Sequence, residues 1–130
     1  MATIVRDIPI PAPAAAVWDA IADYGAVHER VCPGFVVKTE LVEGGRVVTF
    51  GNGLVATETL VTSDPAARRL VYSVNANERL THHNASFQVF EDGAGARVVW
   101  IADVLPQAAG ETVGAMMSAG AEAMRTHLSR

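Results

Sequence analysis

The chain is expected to fold as an α+β domain in which a curved antiparallel sheet of seven strands wraps around a long C-terminal helix. Three features of the sequence predict this. A strand-like opening leads directly into short helical segments. Six further strand patterns then follow one another between Pro33 and Pro106, with connections too short for parallel crossovers. A single long helical pattern closes the chain from Glu111 to Leu128, and a curved sheet needs such an apolar object on its concave face.

Ala2 to Ile10 alternates weakly and reads as the first strand, with Pro9, Pro11 and Pro13 expected to end its ladder. Ala14 to Ala22 is strongly helix-forming, carries Val17, Trp18 and Ile21 on one stripe, and has Pro13 suited to its first turn. Asp23-Tyr24-Gly25 breaks it, and Ala26 to Val31 forms a second short helical piece. The segments Phe35 to Val42, Arg46 to Phe50, Leu54 to Thr62, Arg69 to Val74, Leu80 to Phe90 and Arg97 to Leu105 are rich in Val, Thr, Phe and Tyr. Between them lie turn-forming residues: Glu43-Gly44-Gly45, Gly51-Asn52-Gly53, Asp64-Pro65, Asn75-Ala76-Asn77 and Asp92-Gly93-Ala94-Gly95. In the last helix Met116, Gly120, Met124 and Leu128 share one face, with Val113 and Met117 beside it.

With 130 residues, the chain has the ordinary size of one domain, expected to span residues 1–130, and its 50% apolar content suffices for a full core. No apolar run approaches the ~20 residues of a membrane span, and Met1 to Arg6 lacks the pattern of a secretory signal. One cysteine, Cys32, excludes an internal disulfide framework and fits a reducing, cytoplasmic compartment. The net charge of -4, with basic residues scattered, argues against nucleic acid as a partner. No dinucleotide or phosphate loop and no nucleophile elbow is present, so neither a nucleotide cofactor nor nucleophilic hydrolysis is expected.

The order of elements resembles the START and birch-pollen-allergen-like superfamily, often called SRPBCC, and within it the polyketide cyclase/dehydrase-like branch. The residues that carry the resemblance are Pro13 to Trp18, Thr57-Glu58-Thr59-Leu60, Asp64, Arg69 to Tyr72, Val98-Val99-Trp100, Pro106 and the final helix. It covers essentially the whole chain and implies a helix-grip fold with a hydrophobic ligand cavity, in a superfamily whose roles are diverse. Glu58 to Ser86 is also similar to the plant hormone receptors of that fold, which implies pocket residues at Glu58, Tyr72, His83 and Ala85. The loop before Glu58, Gly51 to Val55, is shorter than the receptor gating loop, so no hormone-style lid or partner switch is expected.

Hairpin counting gives a candidate site from the residues themselves. A turn centred near Pro65 sets Glu58 opposite Tyr72, and one near Asn77-Glu78 sets Tyr72 opposite His83. A three-residue Gly93-Ala94-Gly95 loop pairs Phe87 with Ile101 and Ala85 with Asp103. One face then carries Glu58, Tyr72, His83 and Asp103 among Leu70, Val74, Phe87, Val99 and Ile101, unless a bulge flips the later strands. The last helix adds Met116, Met117, Gly120 and Met124, its methionines adaptable to an irregular apolar ligand. Gly120, which costs ~1 kcal/mol against alanine inside a helix, either leaves room for ligand or allows close approach to a strand.

Glu58 and His83 are the candidate catalytic residues. A carboxyl facing an apolar cavity has a raised pKa and can serve as general acid or base. Alternatively Glu58 is an anchor, hydrogen-bonded to Tyr72 or paired with Arg46 or Arg79. His82 and His83 face opposite ways on a strand, with His83 inward on the expected register. Adjacent strand histidines cannot share an ion, so no metal site is expected. Asp103 could fix a histidine tautomer or simply reach solvent. His28 reads as a surface residue and Cys32 as a small buried hydrophobe. The leading expectation is a binder of a hydrophobic, aromatic or lipid-like small molecule. An acid/base enzyme of the cyclase/dehydrase kind is the second, and an interaction module with a filled cavity the third.

Overall fold

In the computed structural model, which describes residues 1–129, the elements follow in the expected order. Strand β1 (Ala2–Ile10) leads into helix α1 (Ala14–Ala22), a 3-10 turn (Tyr24–Ala26) and helix α2 (Val27–Arg30). Six strands follow: β2 (Val36–Val42), β3 (Gly45–Phe50), β4 (Val55–Asp64), β5 (Arg69–Val74), β6 (His82–Asp92) and β7 (Gly95–Leu105). Helix α3 (Gly110–Leu128), 19 residues long, closes the chain.

Among the described residues, seven strands form one antiparallel sheet in the order β1-β7-β6-β5-β4-β3-β2. Consecutive strands from β2 to β7 are neighbours, and β1 returns to pair with β7. Strand β1 ends at Ile10, as expected, and takes Pro9 into its ladder opposite Arg97. The reason is position: β1 is an edge strand, where a missing N–H can face away from the ladder. The sheet curls around α3, and one core joins Ile4, Ile8, Val98, Trp100, Val104, Met117 and Met124 with the inner faces of α1 and α2. Arg6 ties the edge strand to the helix, its Nη2 donating to the Gly114 carbonyl at 2.9 Å and its Nε to Ser118 Oγ at 3.0 Å. Among the described residues, no helix is long and apolar enough to cross a membrane.

The registers differ from those obtained by counting. Asp64 Oδ1 accepts from the backbone N–H groups of Ala66 and Ala67, so the β4–β5 turn spans residues 65–68, with Arg68 at a φ of 50°. A bulge at Val61 takes up the odd residue, and Glu58 pairs with Val74 instead of Tyr72. In the next hairpin Tyr72 pairs with Ala85 instead of His83. Both slips amount to two residues and keep Glu58, Leu60, Tyr72 and His83 on their expected face, while β4 beyond the bulge changes face. The β6–β7 hairpin behaves otherwise. Its loop has two residues, Gly93 and Ala94, because Asp92 pairs with Gly95, and Phe87 therefore faces Trp100. That one-residue difference turns all of β7 over. Val98, Trp100, Ala102 and Val104 point into the core, whereas Val99, Ile101 and Asp103 lie on the outer face.

Candidate functional site

Between the sheet and α3 lies a cavity of ≈ 140 Å³. The strands contribute Val36, Arg46, Val48, Phe50, Glu58, Tyr72, Val74, His83, Phe87 and Trp100. Helix α3 supplies Val113, Met116, Met117, Gly120 and Met124, while Val27, Val31, Cys32, Phe35 and Leu80 close the sides. The α3 positions recur at helical spacing, which is why one face of that helix forms a wall.

Of the residues expected from sequence, Glu58, Tyr72, His83, Phe87, Met116, Met117, Gly120 and Met124 meet at this cavity. Ala85 lies on the same sheet face, buried between Tyr72 and Ala102, but does not line it. Val99, Ile101 and Asp103 must be removed from the site, since the two-residue β6–β7 loop turns them outward. Asp103 there accepts a hydrogen bond from Thr3 Oγ1 at 2.6 Å across β1 and β7. Trp100 occupies the place assigned to Ile101.

Arg46 is the residue that sequence counting used only as a possible partner. It sits opposite Glu58 across β3 and β4 and is 5% exposed, with Glu58 at 6%. Its Nε and Nη2 lie 2.9 and 2.8 Å from Glu58 Oε1, and its Nη1 donates to the Tyr24 carbonyl at 3.0 Å. The guanidinium stacks over the Tyr24 ring at 3.9 Å, with Tyr72 at 5.7 Å. Tyr24 in turn donates its hydroxyl to the Glu58 carbonyl at 3.2 Å. These contacts stitch the segment after α1 onto the sheet. Burial pushes the Glu58 carboxyl up from its ordinary range, and the charge and hydrogen bonds of Arg46 pull against it. Burial likewise raises the Tyr24 phenol and the Cys32 thiol, each to about 12, with Arg46 opposing.

The other side of the cavity is aromatic. Tyr72, Phe87 and Trp100 stack in sequence, with ring centroids 5.8 and 4.8 Å apart and planes within 24°. Trp100 Nε1 donates to the Tyr72 hydroxyl at 3.2 Å. His83 follows Tyr72 at 6.1 Å, and its Nδ1 is buried without a hydrogen-bond partner among the described residues. Burial holds its pKa below the ordinary histidine value, so the ring is neutral at pH 7.

Gly120 is placed by close approach. A Cβ there would sit 2.9 Å from the Phe35 ring and 3.1 Å from the Trp100 indole, which is tighter than ordinary contact. The glycine thus lets the helix pack against two aromatic side chains while still bordering the cavity. His28 lies outside the lining and approaches Glu29 at 3.2 Å. Sequence counting missed Trp100 as a wall residue, together with Phe35, Phe50 and Leu80.

A curled sheet gripping one long helix, with an apolar cavity between them, defines the helix-grip class of ligand-cavity proteins. The chain belongs to the family described as polyketide cyclase / dehydrase and lipid transport, whose model matches residues 1–129. A protein from Thermobifida fusca solved by solution NMR is similar to it at 31% identity, covering 96% of this chain and 91% of that one with a TM-score of 0.77. XoxI from Bacillus cereus shares the fold at 20% identity, with a TM-score of 0.87 and coverage of 98% and 96%. The ZhuI aromatase/cyclase of Streptomyces sp. R1128 does so at 20% identity, with a TM-score of 0.76 and coverage of 98% and 91%. No curated protein matches the sequence.

Proposed function

We propose that this protein binds a small hydrophobic or aromatic molecule in the cavity between the sheet and α3. The observation that carries the reading is an interior walled by Tyr72, Phe87, Trp100 and three methionines that its own side chains leave unfilled. A packed core excludes voids of that size, and the lining combines apolar surface with a few convergent polar groups, as ligand sites do. The void also favours this reading over an interaction module with a filled interior. The cytoplasm, suggested by the lone buried thiol, is the proposed compartment. Native mass spectrometry of freshly purified protein tests the proposal. A co-purified molecule, or saturable uptake of added small arenes, is the expected result; failure to take up any apolar compound overturns it.

His83 supports a second reading, acid/base chemistry on a bound substrate of the polyketide type. A neutral imidazole on the cavity wall, with a pKa held low by burial, is able to take a proton at pH 7. Glu58 is less available, because its proton would have to compete with Arg46. In such an enzyme His83→Gln lowers turnover roughly 10²–10⁴-fold, measured on cyclisable aromatic precursors; unchanged turnover removes His83 from the chemistry.

A further inference from the structure

The character of the ligand can be narrowed on the reading just proposed. We infer that the cavity takes a neutral, single-ring arene bearing one hydroxyl group, seated against the Phe87–Trp100 wall with its oxygen toward His83 and Tyr72. Three observations converge. The first is size: ≈ 140 Å³ is close to the ~150 Å³ of an engineered apolar cavity that accommodates benzene, and below the ~300 Å³ at which pockets for drug-sized ligands begin.

The second is charge. Arg46 is committed to Glu58 through two nitrogens and to the Tyr24 carbonyl through a third, so among the described residues the one buried cation is already matched by the one buried anion. The remaining titratable lining groups, Cys32, Tyr72 and His83, are all shifted by burial toward their neutral forms. A carboxylate or ammonium ligand would therefore lose its hydration and gain no counter-charge.

The third is the unspent hydrogen-bonding capacity on the aromatic side. The Tyr72 oxygen accepts from Trp100, which leaves the phenolic proton to be donated elsewhere, and the His83 ring carries a buried, unpartnered nitrogen. Among the described residues neither finds a partner for that capacity. A hydroxyl both donates and accepts, and so suits a wall that offers both roles.

Calorimetric titration of the intact chain with an isosteric series at pH 7 tests the inference. Phenol is expected to bind at least as tightly as toluene, the reverse of the order in a wholly apolar cavity, where a buried hydroxyl has no partner. Benzoate and benzylammonium should bind at least ~100-fold more weakly than phenol, and 2-naphthol more weakly than phenol. His83→Phe should bring phenol to the level of toluene or below. Benzoate at parity with phenol overturns the charge argument, and toluene well ahead of phenol overturns the polar wall. Equal binding of 2-naphthol overturns the one-ring limit. In each of those cases the cavity remains a ligand site and only this inference fails. If no member of the series binds and no apolar compound is taken up, the reading of the cavity fails and the inference with it.

Discussion

The cavity wall contains two polar sites built in opposite ways. Across β3 and β4, Arg46 and Glu58 face each other at 2.8 Å, closed in further by the ring, carbonyl and hydroxyl of Tyr24. On β6, His83 stands beside Tyr72 with a buried nitrogen that none of the described residues satisfies. The first site matches its charge within itself, and the second holds hydrogen-bonding capacity in reserve. Burial is comparable in kind, but a charged pair must be matched within the protein, whereas a neutral imidazole can wait for a ligand. Polar residues in one cavity thus divide into those that hold the fold and those available to a bound molecule.

The comparison can be broken most decisively at Arg46. Arg46→Met leaves the Glu58 carboxylate buried without its partner and should lower unfolding stability by about 3–5 kcal/mol. The double variant Arg46→Met with Glu58→Leu should recover most of that loss. Urea denaturation measures both, and a single-variant cost below about 1 kcal/mol would show that the pair is not the closed unit described.

Next in size is Gly120, which borders the cavity but touches two rings. Gly120→Ala gains about 1 kcal/mol of helix propensity, yet its Cβ meets Phe35 and Trp100. A net destabilisation of about 1–2 kcal/mol is expected, and more for Gly120→Leu. Should the alanine variant prove more stable than the parent, the glycine serves ligand space and not close packing.

A smaller effect belongs to His83. Its folded pKa lies below that of the unfolded chain, so the unfolded state binds more protons as the pH falls. Stability should therefore be complete above the unfolded value of about 6.5 and decline as the pH drops through and below it. His83→Phe should flatten that part of the profile, seen by denaturation at pH 7 and pH 5.5. Glu58 titrates within the Arg46 pair in both proteins and cancels from the difference.

The smallest effects are expected on the outer face. Asp103→Asn and Ile101→Thr should change stability by about 0.5 kcal/mol or less and leave phenol affinity unaltered. A loss of affinity in either would return β7 to the register obtained by counting.

Much of this was legible in the sequence, and the exceptions have physical causes. The element order followed from turn residues and periodicity, and the inward positions on β4, β5 and β6 were right because two-residue slips preserve a strand's face. The error in β7 came from one residue of loop length. A better signal was present in the strand: Arg97 and Asp103 share one face, while Ala96, Val98, Trp100, Ala102 and Val104 form an unbroken apolar row on the other. Charge segregation along a single strand outweighs a guess at its hairpin loop. The Asp64 side chain that sets the β4–β5 turn and the bulge at Val61 are three-dimensional solutions without a comparable pattern. Arg46 was one of three alternatives for a partner of Glu58, beside Tyr72 and Arg79, and its stacking on Tyr24 joins residues 22 apart, beyond the reach of hairpin counting.

Trp100 carries one more consequence. Its indole belongs to the cavity wall and its N–H is held by Tyr72, whereas the other tryptophan, Trp18, lies on α1 and takes no part in the lining. One chromophore therefore borders the cavity and the other lies outside its lining. The protein contains its own optical gauge: indole emission altered by an occupant is contributed by Trp100, against a steady background from Trp18.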